Sequence, residues 1–194
     1  MLEENYLDKL NEDIKKEFKK ASDLLDVGEF NRAKNKFEEI LNEVEDFIPA
    51  LNKLAVIEIY NDNLEQANKL IDKILEKDPE YVAAITNLGS IYKKKGQIER
   101  AKKLYEKAID IEPDYGNAYN NLGVIYREQG EYKKSVKYLK KARKRGSYSF
   151  KIDDKPLYKN KGCVFFVVII ILIILLLIYI LWGGYKIGWY KSGR

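Results

Sequence analysis

The chain has 194 residues, 34% of them charged, with a net charge of +5, one cysteine and no histidine. The absence of histidine excludes His-based acid–base catalysis and histidine metal sites, and a lone Cys163 excludes an internal disulfide framework or a cysteine zinc cluster. No glycine-rich phosphate loop is present, and the carboxylates read as solvated helix faces, so a binding protein is expected, not an enzyme, with no cofactor, metal or small-molecule substrate.

Residues 1–13 read as a helical N-terminal extension. Their acidic, polar start lacks the basic region and apolar run of a secretory signal, which predicts that this end stays in the cytoplasm. From residue 14 onward the sequence repeats every 34 residues. Small residues recur as Ala21, Ala55, Gly89 and Gly123, and again as Ala33, Ala67, Ala101 and Ser135. Turn residues recur as Gly28, Asp62, Gly96 and Gly130, each followed two positions later by Phe30, Leu64, Ile98 and Tyr132. Further apolar columns are Phe37, Ile71, Tyr105 and Leu139, then Ile40, Ile74, Ala108 and Ala142.

Within each half of a repeat, apolar residues fall three or four apart, and glycine or aspartate separates the halves. That pattern predicts two antiparallel helices per unit, with small residues where they cross. One unit cannot bury its own apolar stripe, so successive units stack into a right-handed solenoid. The expected fold class is all-α: an α-solenoid of about four helix-turn-helix repeats, at 14–47, 48–81, 82–115 and 116–149, followed by a single transmembrane helix. The tyrosines Tyr92, Tyr105, Tyr119, Tyr126, Tyr132 and Tyr138 fall mostly at packing positions and are expected in the core.

These columns resemble the tetratricopeptide repeat family. Asn87-Leu88-Gly89 to Tyr92, then Ala101, Tyr105, Ala108 and Pro113, form the clearest copy, and Asn121-Leu122-Gly123 to Tyr126, with Ser135, Leu139 and Ala142, the second. Residues 48–81 are a weaker copy, with Glu58 where an aromatic is usual, and 14–47 a divergent one. The last copy has Ser147 where the family has proline, and no capping helix is evident after it.

The resemblance implies that the first helices of successive units line a concave groove for an extended peptide or a helix of another protein. The candidates on that face are Asn52, Lys53, Val56 and Tyr60; Ala83, Thr86, Asn87, Ser90 and Lys94; and Asn117, Asn120, Asn121, Val124 and Arg127. Asparagine offers both a donor and an acceptor, so a row of them suits peptide backbone; the alternative is a solvated or locally bonded side chain. The family's carboxylate clamp is only fragmentary, because Thr86 and Asn117 or Asn120 stand where its lysines belong.

Charge is unevenly distributed: residues 1–139 carry a net −5 and residues 140–161 a net +7. Lys140, Lys141, Arg143, Lys144 and Arg145, with Lys159 and Lys161 in a juxtamembrane linker at 150–162, are candidate contacts for anionic lipid headgroups, in preference to nucleic acid; the alternative is a solvated helix end. From Val164 to Trp182 nineteen residues carry no charge, enough for a helix of about 28 Å, so 163–183 is read as a transmembrane helix. Trp182, Tyr185, Trp189 and Tyr190 follow as an interfacial belt, and 184–194 form a short tail on the opposite side. The richer basic flank before the span favours a cytoplasmic N-terminal domain. The expected protein is therefore a single-pass, tail-anchored interaction adaptor with partners in a protein and the lipid bilayer. The alternative is a structural subunit of a membrane complex that contacts its neighbours through the anchor or the uncapped repeat end.

Overall fold

The computed structural model describes residues 6–8 and 10–146. Eight α-helices are ordered along them: α1 (Glu12–Asp26), α2 (Phe30–Glu43), α3 (Ile48–Tyr60), α4 (Leu64–Lys77), α5 (Val82–Lys94), α6 (Ile98–Ile111), α7 (Gly116–Glu128) and α8 (Tyr132–Lys144). No strand occurs among the described residues. Each helix packs on the next, and α3 also meets α5, as α5 meets α7, so α3, α5 and α7 form one continuous layer. This is the all-α solenoid of four helical pairs expected from the period.

The turn inside each pair is the same device four times. The amides of Glu29, Asn63, Gln97 and Glu131 bond back to the carbonyls of Leu24, Glu58, Tyr92 and Tyr126 at 2.8–2.9 Å. Those of Gly28, Asp62, Gly96 and Gly130 bond to Leu25, Ile59, Lys93 and Arg127. These paired bonds satisfy the last carbonyls of the odd helices and require a left-handed residue between them. Asp62 meets that requirement at φ 64°, as the only non-glycine with positive φ among the described residues.

Close approach within a pair rests on the small column. A Cβ on Gly89 would lie 2.6 Å from Cε1 of Tyr105, and one on Gly123 would lie 2.8 Å from Cδ2 of Leu139. The larger partners therefore fill the space that glycine leaves. At the N-terminal end the same columns hold Ala21 and Phe37, both buried in one cluster, where Phe18 contacts both Phe37 (5.6 Å) and Phe47 (5.2 Å between ring centroids). The divergent first copy is thus built around a phenylalanine cluster.

Some details differ from the sequence reading. α1 begins at Glu12, two residues before the expected boundary, because Asn11 caps it by accepting from the Ile14 amide at 2.8 Å. The N-terminal extension is set apart from α1 by this cap; its Tyr6 donates to Asp78 (3.0 Å) and packs edge-on against Tyr81. Tyr132 is not in the core: it is 69% exposed, because the earlier members of its column are covered by a following repeat and none follows it among the described residues. Tyr105, Tyr119 and Tyr126 are buried as expected. Among the described residues no helix is long and apolar enough to cross a membrane. The span read at 163–183 lies outside those residues, as do the linker, the tail, Ser147, Lys159 and Lys161.

Candidate functional site

The odd helices frame a concave cavity of about 620 Å³. Asn52, Lys53 and Val56 of α3 and Ala83 and Asn87 of α5 line its centre, and Asn117 of α7 closes one side. Leu25 and Phe30 on one flank and Tyr115 on the other add apolar walls, while Asp26 and Glu112 add acid. The surface is therefore mixed, with amides between apolar patches, which suits a segment presenting both backbone and side chains.

The candidate asparagines are not equivalent. Asn87 donates from Nδ2 to Oδ1 of Asn52 at 2.8 Å, linking α5 to α3. Asn52 is itself buried by this contact, so it holds the groove floor, and Asn87, half-buried, keeps its carbonyl oxygen beside the cavity. One repeat on, Asn121 and Asn120 are half-buried and Asn117 is exposed, donating weakly to the Tyr115 hydroxyl at 3.4 Å. Thr86 occupies the column of Asn52 but is buried, and its Oγ1 has no hydrogen-bond partner among the described residues. The threonine is too short to repeat the asparagine link, which leaves Asn121 without the partner that Asn87 has.

The remaining candidates divide by what holds them. Ser90 sits between helices, its hydroxyl 3.2 Å from both the Thr86 carbonyl and the Tyr105 hydroxyl, so it knits the repeat interior. Burial pushes the Tyr105 hydroxyl above its ordinary pKa, and it stays a neutral phenol. Lys94 pairs with Asp62 across repeats at 3.0 Å. Tyr60 is exposed but stacked on Phe30, with ring centroids 4.0 Å apart. Val56 and Val124 are half-buried, and Arg127 is exposed.

Sequence reasoning missed the group under the edge of this face. Glu58 is only 3% exposed; its Oε1 accepts from Lys34 at 2.6 Å and its Oε2 from Asn63 at 2.7 Å. Burial raises the carboxyl pKa, but the two hydrogen bonds and the lysine charge outweigh it and hold Glu58 below the usual glutamate range. The same columns two repeats on bring Lys102 to 5.3 Å from the centroid of the Tyr126 ring. Glutamate thus takes the place of an aromatic ring because the facing lysine accepts either partner.

The basic candidates on α8 and at its C-cap also separate. Arg145 is tied down: Nε donates to the Pro113 carbonyl at 2.8 Å, pairs with Asp114 at 3.2 Å, and the guanidinium lies 4.6 Å over Tyr119. Lys141 lies over Tyr119 and Tyr138 at 5.3 and 5.9 Å. Lys140, Arg143 and Lys144 are exposed and have no acidic partner among the described residues. No group of three or more acidic or cysteine side chains that would hold a metal ion occurs among them either.

Comparison with known proteins agrees with this architecture. Residues 81–146 match the model of the tetratricopeptide repeat family. The chain is similar to the crystal structure of MamA, at 25% identity and a TM-score of 0.51 over 68% of this chain and 77% of that one. It is also similar to a thermophilic TPR protein of Thermus thermophilus, at 22% identity and a TM-score of 0.61 over 69% of this chain and 74% of that one, a likeness of fold alone. No curated protein matches the chain. The family match over α5 to α8, with the 34-residue period and the turn repeated in all four helical pairs, makes the described helices similar to a tetratricopeptide repeat domain.

Proposed function

We propose that the chain is a non-catalytic, membrane-tethered adaptor whose concave face binds an extended peptide or a helix of another protein. The observation that carries the binding reading is the cavity itself, where the Asn87 carbonyl oxygen and the Asn117 amide border apolar Val56 and Ala83, with Asn121 one helical turn beyond Asn117. Tetratricopeptide domains bind other proteins, which fits an amide-lined groove open to solvent. The tether rests on the uncharged residues 164–182, with the repeat domain on the cytoplasmic side.

The test is capture from a membrane extract with the full-length chain and its Asn121→Ala variant. Asn121 is the cleaner position, because Asn87 also satisfies the buried Asn52 and its removal perturbs the fold as well as the groove. A partner held by the wild-type chain and lost by the variant supports groove binding. Equal capture by both, with loss only when the apolar segment is replaced, would move the contact to the anchor and make the protein a structural subunit.

A further inference from the structure

In the first three pairs, the outward face of the even helix is covered by the next repeat. On α2, Phe30 stacks against Tyr60 of α3 and Lys34 bonds Glu58 of α3, while Leu41 packs between the first and second core clusters. The same positions on α8 are Tyr132, Val136 and Arg143, and no repeat follows them among the described residues. Tyr132 is 69% and Val136 51% exposed.

At about 100° per residue, Tyr132, Arg143, Val136, Lys140, Lys133, Lys144 and Lys137 fall in that angular order within an arc of about 140°. Ser135 and Ala142, which are buried, and Tyr138, half-buried, lie on the other side, and half-buried Leu139 borders Tyr132. The face therefore carries two exposed apolar side chains at one edge, with Arg143 between them, and four lysines beyond, all five cations exposed and without an acidic partner among the described residues. No Asp or Glu occurs in α8 at all. A second tetratricopeptide repeat is a poor fit, because the covered faces before it present Leu41, Leu75 and Ile109 where α8 presents Arg143.

We propose that this uncapped face of α8 docks on the surface of an anionic lipid bilayer, with Tyr132 and Val136 at headgroup depth and Lys133, Lys137, Lys140, Arg143 and Lys144 among lipid phosphates. The inference rests on the tether proposed above, and chain length permits it. Residues 147–163 separate Gly146 from the apolar segment, a contour of at most about 60 Å, so the face stays within reach of the bilayer. Charge complementarity selects the occupant: anionic lipid attracts surface Lys and Arg, and tyrosine favours the interface. Docking would fix the end of the solenoid on the membrane.

The experiment uses the full chain with Cys163→Ser and a single Val136→Cys carrying an environment-sensitive fluorophore, mixed with vesicles of phosphatidylcholine alone or with one-third phosphatidylglycerol. Lys16→Cys on exposed α1 is the control label. At 0.1 M salt the Val136 label is expected to shift blue and be quenched by brominated lipid on the anionic vesicles only, while the Lys16 label stays aqueous. Each lysine near the surface contributes roughly fivefold, so Lys133→Gln, Lys137→Gln and Lys140→Gln together weaken docking on the order of a hundredfold. Vesicle flotation, read in parallel, reports the tether. A chain that floats with both vesicle types while the label stays aqueous overturns docking and leaves the tether standing; a chain that floats with neither overturns both. Protection that is equal on the two vesicle types and survives 0.5 M salt overturns docking in favour of coverage by residues 147–162. Protection that rises with protein density does so in favour of a second copy.

Discussion

Replacing Glu58 by glutamine takes one charge out of a pair buried between the first and second repeats. The carboxylate is 3% exposed, but the Lys34 side chain is 36% exposed, so the amine regains water once its partner is neutral. A fully buried pair that is broken costs about 3–5 kcal/mol and an exposed one at most about 1 kcal/mol. With one end wet and one dry, about 2 kcal/mol is expected, a drop of roughly 5–10 °C in unfolding midpoint. Glu58→Tyr restores the ring found at Tyr92 and Tyr126 and offers Lys34 the contact that Lys102 makes, so it should remain within about 1 kcal/mol of the parent. Thermal unfolding of the full chain in one detergent, followed by far-ultraviolet circular dichroism at pH 7, separates the three. A glutamine variant within 1 °C of the parent, or a tyrosine variant as unstable as glutamine, refutes the reasoning. The pH dependence has a definite sign. Because the folded carboxyl lies below its ordinary value, its contribution is complete above the unfolded glutamate pKa of about 4.3 and is lost as pH falls through the folded value. That loss should be absent in both variants.

Gly89→Ala gains helix propensity but drives a methyl into the buried Tyr105 ring, and a net loss of about 1–2 kcal/mol is expected in the same unfolding assay. Thr86→Val removes a buried hydroxyl with no partner at nearly constant volume and should raise stability by about 1 kcal/mol; a decrease would show that the hydroxyl is bonded in solution. Asp62→Gly relieves a left-handed residue at the cost of an exposed pair with Lys94, so a gain of about 0.5–1 kcal/mol is expected from urea midpoints.

The 34-residue period carried the helical pairs, the turn positions and the glycine crossings, because each is local to one repeat and recurs. Contacts between repeats were less legible. Glu58 was visible only as a departure from an aromatic column, and its partner Lys34 lies 24 residues away on another helix. A signal did exist: Lys34 and Lys102 stand in one column, opposite Glu58 and Tyr126 in another, so the facing pair could have been read once the register between units was known. Groove candidates suffered from the same limit. A face assignment places Asn52, Thr86 and Asn120 together, yet Asn52 is drawn into a bond with Asn87, Thr86 is buried, and Asn120 is half-buried, because tightness between units varies with the side chains that meet there.

That variation also explains why α8 differs from its predecessors in composition. Along the column that packs against the next unit, Leu41, Leu75 and Ile109 give way to Arg143, and in the neighbouring column Glu38, Asp72 and Glu106 give way to Lys140. A helix that was merely ending a solenoid needs polar residues of either sign on its outer face to stay in water. Here both columns change to cations, while Tyr132 and Val136 remain uncovered beside them. Solubility alone does not select one sign of charge, since mixed signs serve it equally. An anionic surface does select it, and an exposed aromatic beside the cations adds depth of contact that a purely electrostatic patch lacks. Swapping Lys133, Lys137 and Lys140 for glutamates therefore separates the two explanations. The solubility of the domain should be retained, whereas the salt-sensitive protection of the Val136 label on phosphatidylglycerol vesicles should vanish.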